Sequence, residues 1–241
     1  MSSLIADPLA PTKSPRAKTS VAPQDDTPAL EAALHRTLPM ARLEEQELPD
    51  CQGLRLALIN ADFPTGPLPP EVMHAVVAEP AYWAFCWGSG QALARYLFNE
   101  PDTVADKRVL DLGSGSGVAG IAAALTGAAS VIACDTDKDA QLATLHNARL
   151  NEVTITLIDD FTCEAPFDVV LMADVLYDRS NLPLLNLAQQ AAHCVWVADS
   201  RISELSEPGF KLRTTINALT LPNLGEFDEF GETKIWCSNH G

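Results

Sequence analysis

The stretch "RVLDLGSGSGVAG", Arg108 to Gly120, decides the fold. A β-rich apolar run, Val109 to Leu112, leads straight into Gly113, Gly115 and Gly117 and then into residues suited to a helix. A backbone without Cβ atoms turns sharply there and lets a ligand approach its N–H groups. Strand, glycine turn and helix in that order form the first half of a βαβ unit. Two cofactor classes use this device. From Gly115 the letters satisfy Gly-x-Gly-x-x-Gly through Gly120, the dinucleotide fingerprint, so the glycines alone leave a nicotinamide-dependent oxidoreductase open. Counted from the strand end, however, Val118 stands where the third glycine of that fingerprint belongs. Asp111, two residues before the first glycine, is a poor neighbour for a pyrophosphate. It suits a ligand whose near end carries an ammonium and a sulfonium, which is S-adenosylmethionine.

Further acids lie where strands should end. Asp135 closes "SVIACD" about 20 residues after the glycines, the place where a carboxylate receives ribose hydroxyls. Asp160 and Phe161 follow the next strand, "ITLID", where an adenine would lie. Asp135 and Asp137 are equally suited to cap the following helix.

From Lys107 onward, short β-rich runs alternate with helical ones. "RVLDL" precedes a helix through Ile121 to Leu125, and "SVIACD" precedes one from Asp137 to Leu150. "DVVLMAD" precedes one from Leu182 to Ala192, which is followed by "CVWVAD". This is an α/β pattern with a mostly parallel sheet and helices on both faces. "KLRTTI" and "ETKIWCS" are expected to add an antiparallel hairpin at one edge. Upstream, Leu30, Leu34 and Leu38 repeat at helical spacing and "LRLALI" from Leu54 is a strand, ahead of a Pro-rich turn over Pro64 to Pro70. Residues 1–29, rich in Pro, Ser, Thr and Ala, read as a disordered extension. Residues 30–100 read as a lid or substrate-side segment, and 101–241 as the nucleotide-binding domain.

Composition narrows the partners. The chain has 241 residues and a formal net charge of -16, which argues against nucleic acid and anionic membranes and favours a basic partner. Its six cysteines are scattered, without metal-ligand spacing, which points to buried thiols, a reducing compartment and a cytoplasmic protein. No apolar run reaches membrane-span length. Aromatic residues are 6% of the chain, yet Tyr82, Trp83, Phe85 and Trp87 crowd into "YWAFCWGSGQALARYL", just before a Gly-Ser-Gly turn and an amphipathic helix. Trp83 and Trp87 are expected over the donor pocket, whose sulfonium their π faces would stabilise. Tyr82 and Phe85 are expected to pack against the core.

Together, "YWAFCWGSGQALARYL", "VLDLGSGSG" and "ADVLYD" resemble the seven-strand class I methyltransferases. Among these they are most similar to the electron-transfer flavoprotein β-subunit lysine methyltransferases and their bacterial relatives. The likeness covers about Leu54 to Asp178. It implies a Rossmann-like seven-strand sheet and methyl transfer from S-adenosylmethionine to a lysine ε-amine of a protein, whether that flavoprotein subunit or another lysine-bearing protein. A small-molecule amine is the alternative acceptor. The implied cofactor set is Trp83, Trp87, Asp111, Gly113, Gly115, Gly117, Asp135, Thr136, Asp160, Phe161 and Ala173. Asp174 and Tyr177, in "DVLY", match the family's Asp/Glu-x-x-Tyr/Phe motif and would face the acceptor. Where the mitochondrial relatives carry Gly-Asp-Pro, this chain has Ala198, Asp199 and Ser200.

Overall fold

The computed structural model describes residues 26–225 and 231–239. Most of the expected N-terminal extension lies outside these residues. Its last positions do not: helix α1 spans Thr27–His35, with Pro28 in the first turn, where a missing N–H leaves no bond unmade. Strands β1 (Leu43–Glu47) and β2 (Arg55–Ile59) form a small antiparallel sheet. Helix α2 (Pro70–Ala78) and a 3₁₀ turn (Tyr82–Ala84) lead into α3 (Gly88–Asn99). The alternating part then runs β3 (Arg108–Leu112), α4 (Val118–Leu125), β4 (Ser130–Cys134), α5 (Lys138–Leu150), β5 (Ile155–Ile158), β6 (Phe167–Ala173), α6 (Pro183–Ala191) and β7 (Ala192–Asp199). Strands β8 (Phe210–Asn217) and β9 (Glu232–Asn239) complete it.

The main sheet has seven strands in the order β5-β4-β3-β6-β7-β9-β8. The first five are parallel, and β9 and β8 are antiparallel, as the edge hairpin required. Side chains alternate across the pleat, so each strand feeds two cores. Val109, Val131, Val169 and Trp196 join one cluster with Leu93 and Leu97 of α3 and Ile121 of α4. Leu110, Ile132, Val170 and Val195 join another with Leu185 and Ala188 of α6. The first cluster continues from α3 into β3, so the expected division at residues 100 and 101 falls inside a shared core. A third cluster seats α1, Ile59 and Trp83 against Ala140 and Ala143 of α5.

Two glycines in "WGSG" act differently from the expected turn, because they are the first turn of α3 itself. A Cβ on Gly88 would stand 2.8 Å from the Ala218 carbonyl oxygen, and one on Gly90 would stand 2.8 Å from Val118 Cγ1. They permit close packing rather than chain reversal.

Candidate active site

The chain reverses its order of strand addition between β3 and β6, and in open α/β sheets ligands bind at such a switch point beyond the carboxyl ends of the strands. A cavity of about 570 Å³ lies there, within the size range of small-ligand sites. Its walls come from the ends of β3 (Gly113, Gly115), β4 (Asp135, Thr136), β5 (Asp160, Phe161) and β6 (Ala173, Asp174, Tyr177), with Trp83 and Trp87 from the preceding segment.

On the β3–β5 side, Gly113 and Gly115 have φ of 74° and 52°, in the region that disfavours side chains. Nothing lies within 4 Å of where a Cβ on Gly115 would be, so the exposed backbone of this turn is open to a ligand. The Asp135 carboxylate accepts the Gly115 N–H at 2.9 Å and the Asp137 N–H at 3.0 Å, which locks it at the strand end. Asp137 caps α5 by accepting the Asp139 N–H, so the capping role falls to Asp137. Asp160 accepts from Thr162 N and Oγ1, bonds that hold its carboxyl below the ordinary range. Leu112, Cys134, Ala140 and Phe161 supply apolar wall on this side.

Two residues of the expected cofactor set lie outside the cavity wall. Asp111 is only 2% exposed and lies outside the cavity wall. By the pleat it shares a face with Val109, under α4, where its Oδ2 accepts the Gly120 N–H at 2.8 Å. Burial pushes its carboxyl up to about 7 against the pull of that bond. Gly120 is therefore a packing glycine: a Cβ there would sit 2.9 Å from Asp111 Oδ2. Gly117 also lies outside the cavity wall, capping α4 at φ 82°, with Thr144 packed 3.1 Å from its missing Cβ.

On the β6 side, Asp174 sits in the left-handed region at φ 53°, with its N–H bonded to the Ala198 carbonyl at 3.1 Å. Aspartate tolerates this conformation better than most residues, and the bend turns the carboxylate from the strand into the cleft. There Oδ1 accepts the Ser89 hydroxyl at 2.7 Å and Oδ2 accepts the Ser89 N–H at 3.1 Å. Arg201 Nη1 stands 3.4 Å from Oδ1. Burial raises the Asp174 carboxyl to about 6, opposed by the Ser89 bonds and reinforced by the nearby Asp199. Ser89 and Arg201 were not assigned from sequence, since neither stands in a recognisable spacing with Asp174.

The aromatic group divides differently from expectation. Trp83 is 2% exposed and reaches the cavity from within the third cluster. Tyr82, expected in the core, is 45% exposed and lines the mouth, its ring 5.6 Å from that of Tyr177. Phe85 is half-buried, as its packing role requires, and lies 5.4 Å from the Trp87 ring. The Trp87 indole N–H donates to the Tyr82 carbonyl at 2.9 Å, which holds the rim together.

Known proteins point the same way. Residues 91–199 match the family model "Ribosomal protein L11 methyltransferase (PrmA)". The electron transfer flavoprotein beta subunit lysine methyltransferase of Rattus norvegicus is 38% identical over 134 residues, which is 53% of this chain and 51% of that protein. The Danio rerio protein of the same name is 45% identical over 105 residues, 41% of this chain and 40% of its own. The chain thus spans about half the length of the curated relatives it matches, or less. A solved structure of a candidate sam-dependent methyltransferase from Streptococcus mutans has a TM-score of 0.51 at 13% identity, covering 87% of this chain and 64% of that one, and shows the shared fold. Strand order, cleft and the match over residues 91–199 together make the chain similar to the class I, seven-strand methyltransferases, and in sequence to the lysine methyltransferases of the electron transfer flavoprotein beta subunit.

Proposed function

We propose that the protein transfers methyl groups from S-adenosylmethionine to a lysine ε-amine of a protein. The observation that carries this reading is the Asp174 carboxylate, held by Ser89 in a cleft that the Gly113–Gly115 turn and Asp135 also line.

The residues present fit the donor. Each Asp135 oxygen already accepts one backbone N–H and keeps a lone pair for a ribose hydroxyl. The open backbone at Gly115, with Gly113 beside it in the cavity wall, suits the methionine end, and Phe161 with Asp160 suits the adenine. Thr136 and Ala173 complete the adjoining walls, and Trp83 backs the pocket. When bound, S-adenosylmethionine supplies an electrophilic methyl group on a sulfonium.

The chain's own residues do the rest. Methyl transfer to nitrogen is an in-line displacement, so holding nitrogen and carbon close and collinear is the largest contribution. Asp174 can accept a hydrogen bond from the incoming amine and so point its lone pair across the cleft. An ionised carboxylate also favours the ammonium, so Asp174 orients the amine rather than stripping its proton. A free lysine has a pKa of ≈10.4, and the aromatic walls of Tyr82, Trp87 and Tyr177 lower it by excluding water. The proton leaves through the open mouth to solvent.

A protein acceptor is supported by the similarity to protein lysine methyltransferases and by the exposed Tyr82 and Tyr177 at the rim, where a long side chain enters. The electron transfer flavoprotein beta subunit or another lysine-bearing protein is the partner, and a cytoplasmic setting belongs to the same proposal. The test is transfer of labelled methyl groups into a lysate, with the product sized and mapped by mass spectrometry. Label on a protein lysine is expected, and label only in small molecules overturns the acceptor class. Asp174→Ala is expected to lower kcat/KM about 100-fold, the scale of misplaced reacting groups, while S-adenosylhomocysteine still binds. Unchanged transfer removes the role of Asp174.

A further inference from the structure

We propose that Arg201 is a displaceable plug of the acceptor subsite: its guanidinium rests on Asp174 until an alkylammonium of the acceptor takes its place. The inference rests on the reading of Asp174 as the acceptor contact.

Three observations carry it. First, the subsite already holds a cation, because Arg201 Nη1 and the Ser89 hydroxyl share Asp174 Oδ1, at 3.4 and 2.7 Å. Among the described residues, Asp174 is the one side-chain partner of that guanidinium. Second, the two ends of Arg201 are held very differently. Its backbone N–H donates to Asp199 Oδ1 at 2.7 Å, and Ile202 N–H donates to the same oxygen at 3.0 Å. Asp199 is fully buried at the end of β7, so the root of Arg201 is pinned. The tip is not: the Arg201 side chain is 41% exposed, against 11% for Asp174. Third, 3.4 Å is long for a charge-assisted hydrogen bond, and an ion pair open to water is weak.

A guanidinium spreads its charge over a planar fork, whereas an ammonium puts three donors on one compact centre. The ammonium therefore competes well for a single carboxylate oxygen flanked by aromatic walls. With Arg201 swung towards solvent, Ser89 still holds Asp174 in place. Five aspartates and the single Arg201 supply the charged part of the cavity wall among the described residues, so any entering cation meets Arg201 as its one charged competitor. The plug sets a threshold: amines too weakly cationic to displace it are excluded.

The test needs no knowledge of the natural acceptor. n-Butylammonium, which mimics the end of a lysine, is titrated into the full-length protein while the Ser89 amide signal is followed by NMR, since that N–H reports on Asp174 directly. Arg201→Gln is expected to bind n-butylammonium at least fivefold more tightly than wild type. Arg201→Lys is expected to stay near wild type, and Asp174→Asn to lose the response. The Asp174 titration midpoint, read at the same amide, is expected to rise in Arg201→Gln, because a cation is lost while buried Asp199 on β7 remains. Equal or weaker binding in Arg201→Gln overturns the plug and leaves Asp174 as the acceptor contact. A response that persists in Asp174→Asn, or no response in either wild type or Arg201→Gln, overturns the acceptor reading itself.

Discussion

Asp111 and Asp174 show how two carboxylates with similar local sequence take different tasks. Both are buried and both are raised by desolvation, Asp111 to about 7 and Asp174 to about 6. Asp111 lies mid-pleat under a helix, whereas Asp174 lies one residue past the strand end, in a bend that opens into the cleft. A carboxyl raised by folding contributes stability that is full below its unfolded pKa near 4 and is lost as pH rises through its folded value. Between pH 5 and about 7, wild type is therefore expected to lose on the order of 1 kcal/mol per pH unit relative to Asp111→Asn, levelling off above about 7. Urea unfolding of both proteins at pH 5, 6, 7 and 8 checks this, and parallel curves refute it. The position of Asp111 before the glycines was legible, but its direction was read from ligand chemistry when the alternation of the strand governed it.

At the scale of elements, periodicity located β3 to β9 and the helices between them because all but the edge strand β8 bury a face against their neighbours. Strand β1, "LEEQE", escaped because it is polar and owes its form to pairing with β2. Helix α2 escaped behind the prolines before it, which read as a loop, although Pro70 only occupies its first turn. The "WGSG" glycines were visible as a motif, but their reason was not. Gly88 faces a carbonyl more than 100 residues away, and a backbone cannot give way as a side-chain tip does. Gly88→Ala is accordingly expected to destabilise the protein by about 1–3 kcal/mol, the cost of overpacking, measured by chemical denaturation. The same shift would also reduce transfer, since Ser89 follows directly and holds Asp174. Stability and transfer both unchanged in Gly88→Ala would refute the packing role.

Over the whole molecule, the net charge of -16 and the aspartate-lined cavity act together on approach. Long-range attraction speeds encounter with a basic partner and is screened by salt. For a basic protein acceptor, kcat/KM is expected to fall severalfold between 50 and 300 mM NaCl, while affinity for S-adenosylhomocysteine stays level; steady-state assays and calorimetry over that range decide it. Order along the chain was enough to establish the α/β plan, the parallel core with its edge hairpin, and the glycine turn and acids at successive strand ends, since each rests on periodicity and on residues within one turn. Folding alone determined that Ser89, Asp174 and Arg201 share one carboxylate, that Asp111 turns away from the cleft, and that Tyr82 rather than Trp83 is exposed at the rim. Those outcomes depend on which distant segments pack together, and burial, which sets both charge state and access, is a property of that packing and not of any single stretch of chain.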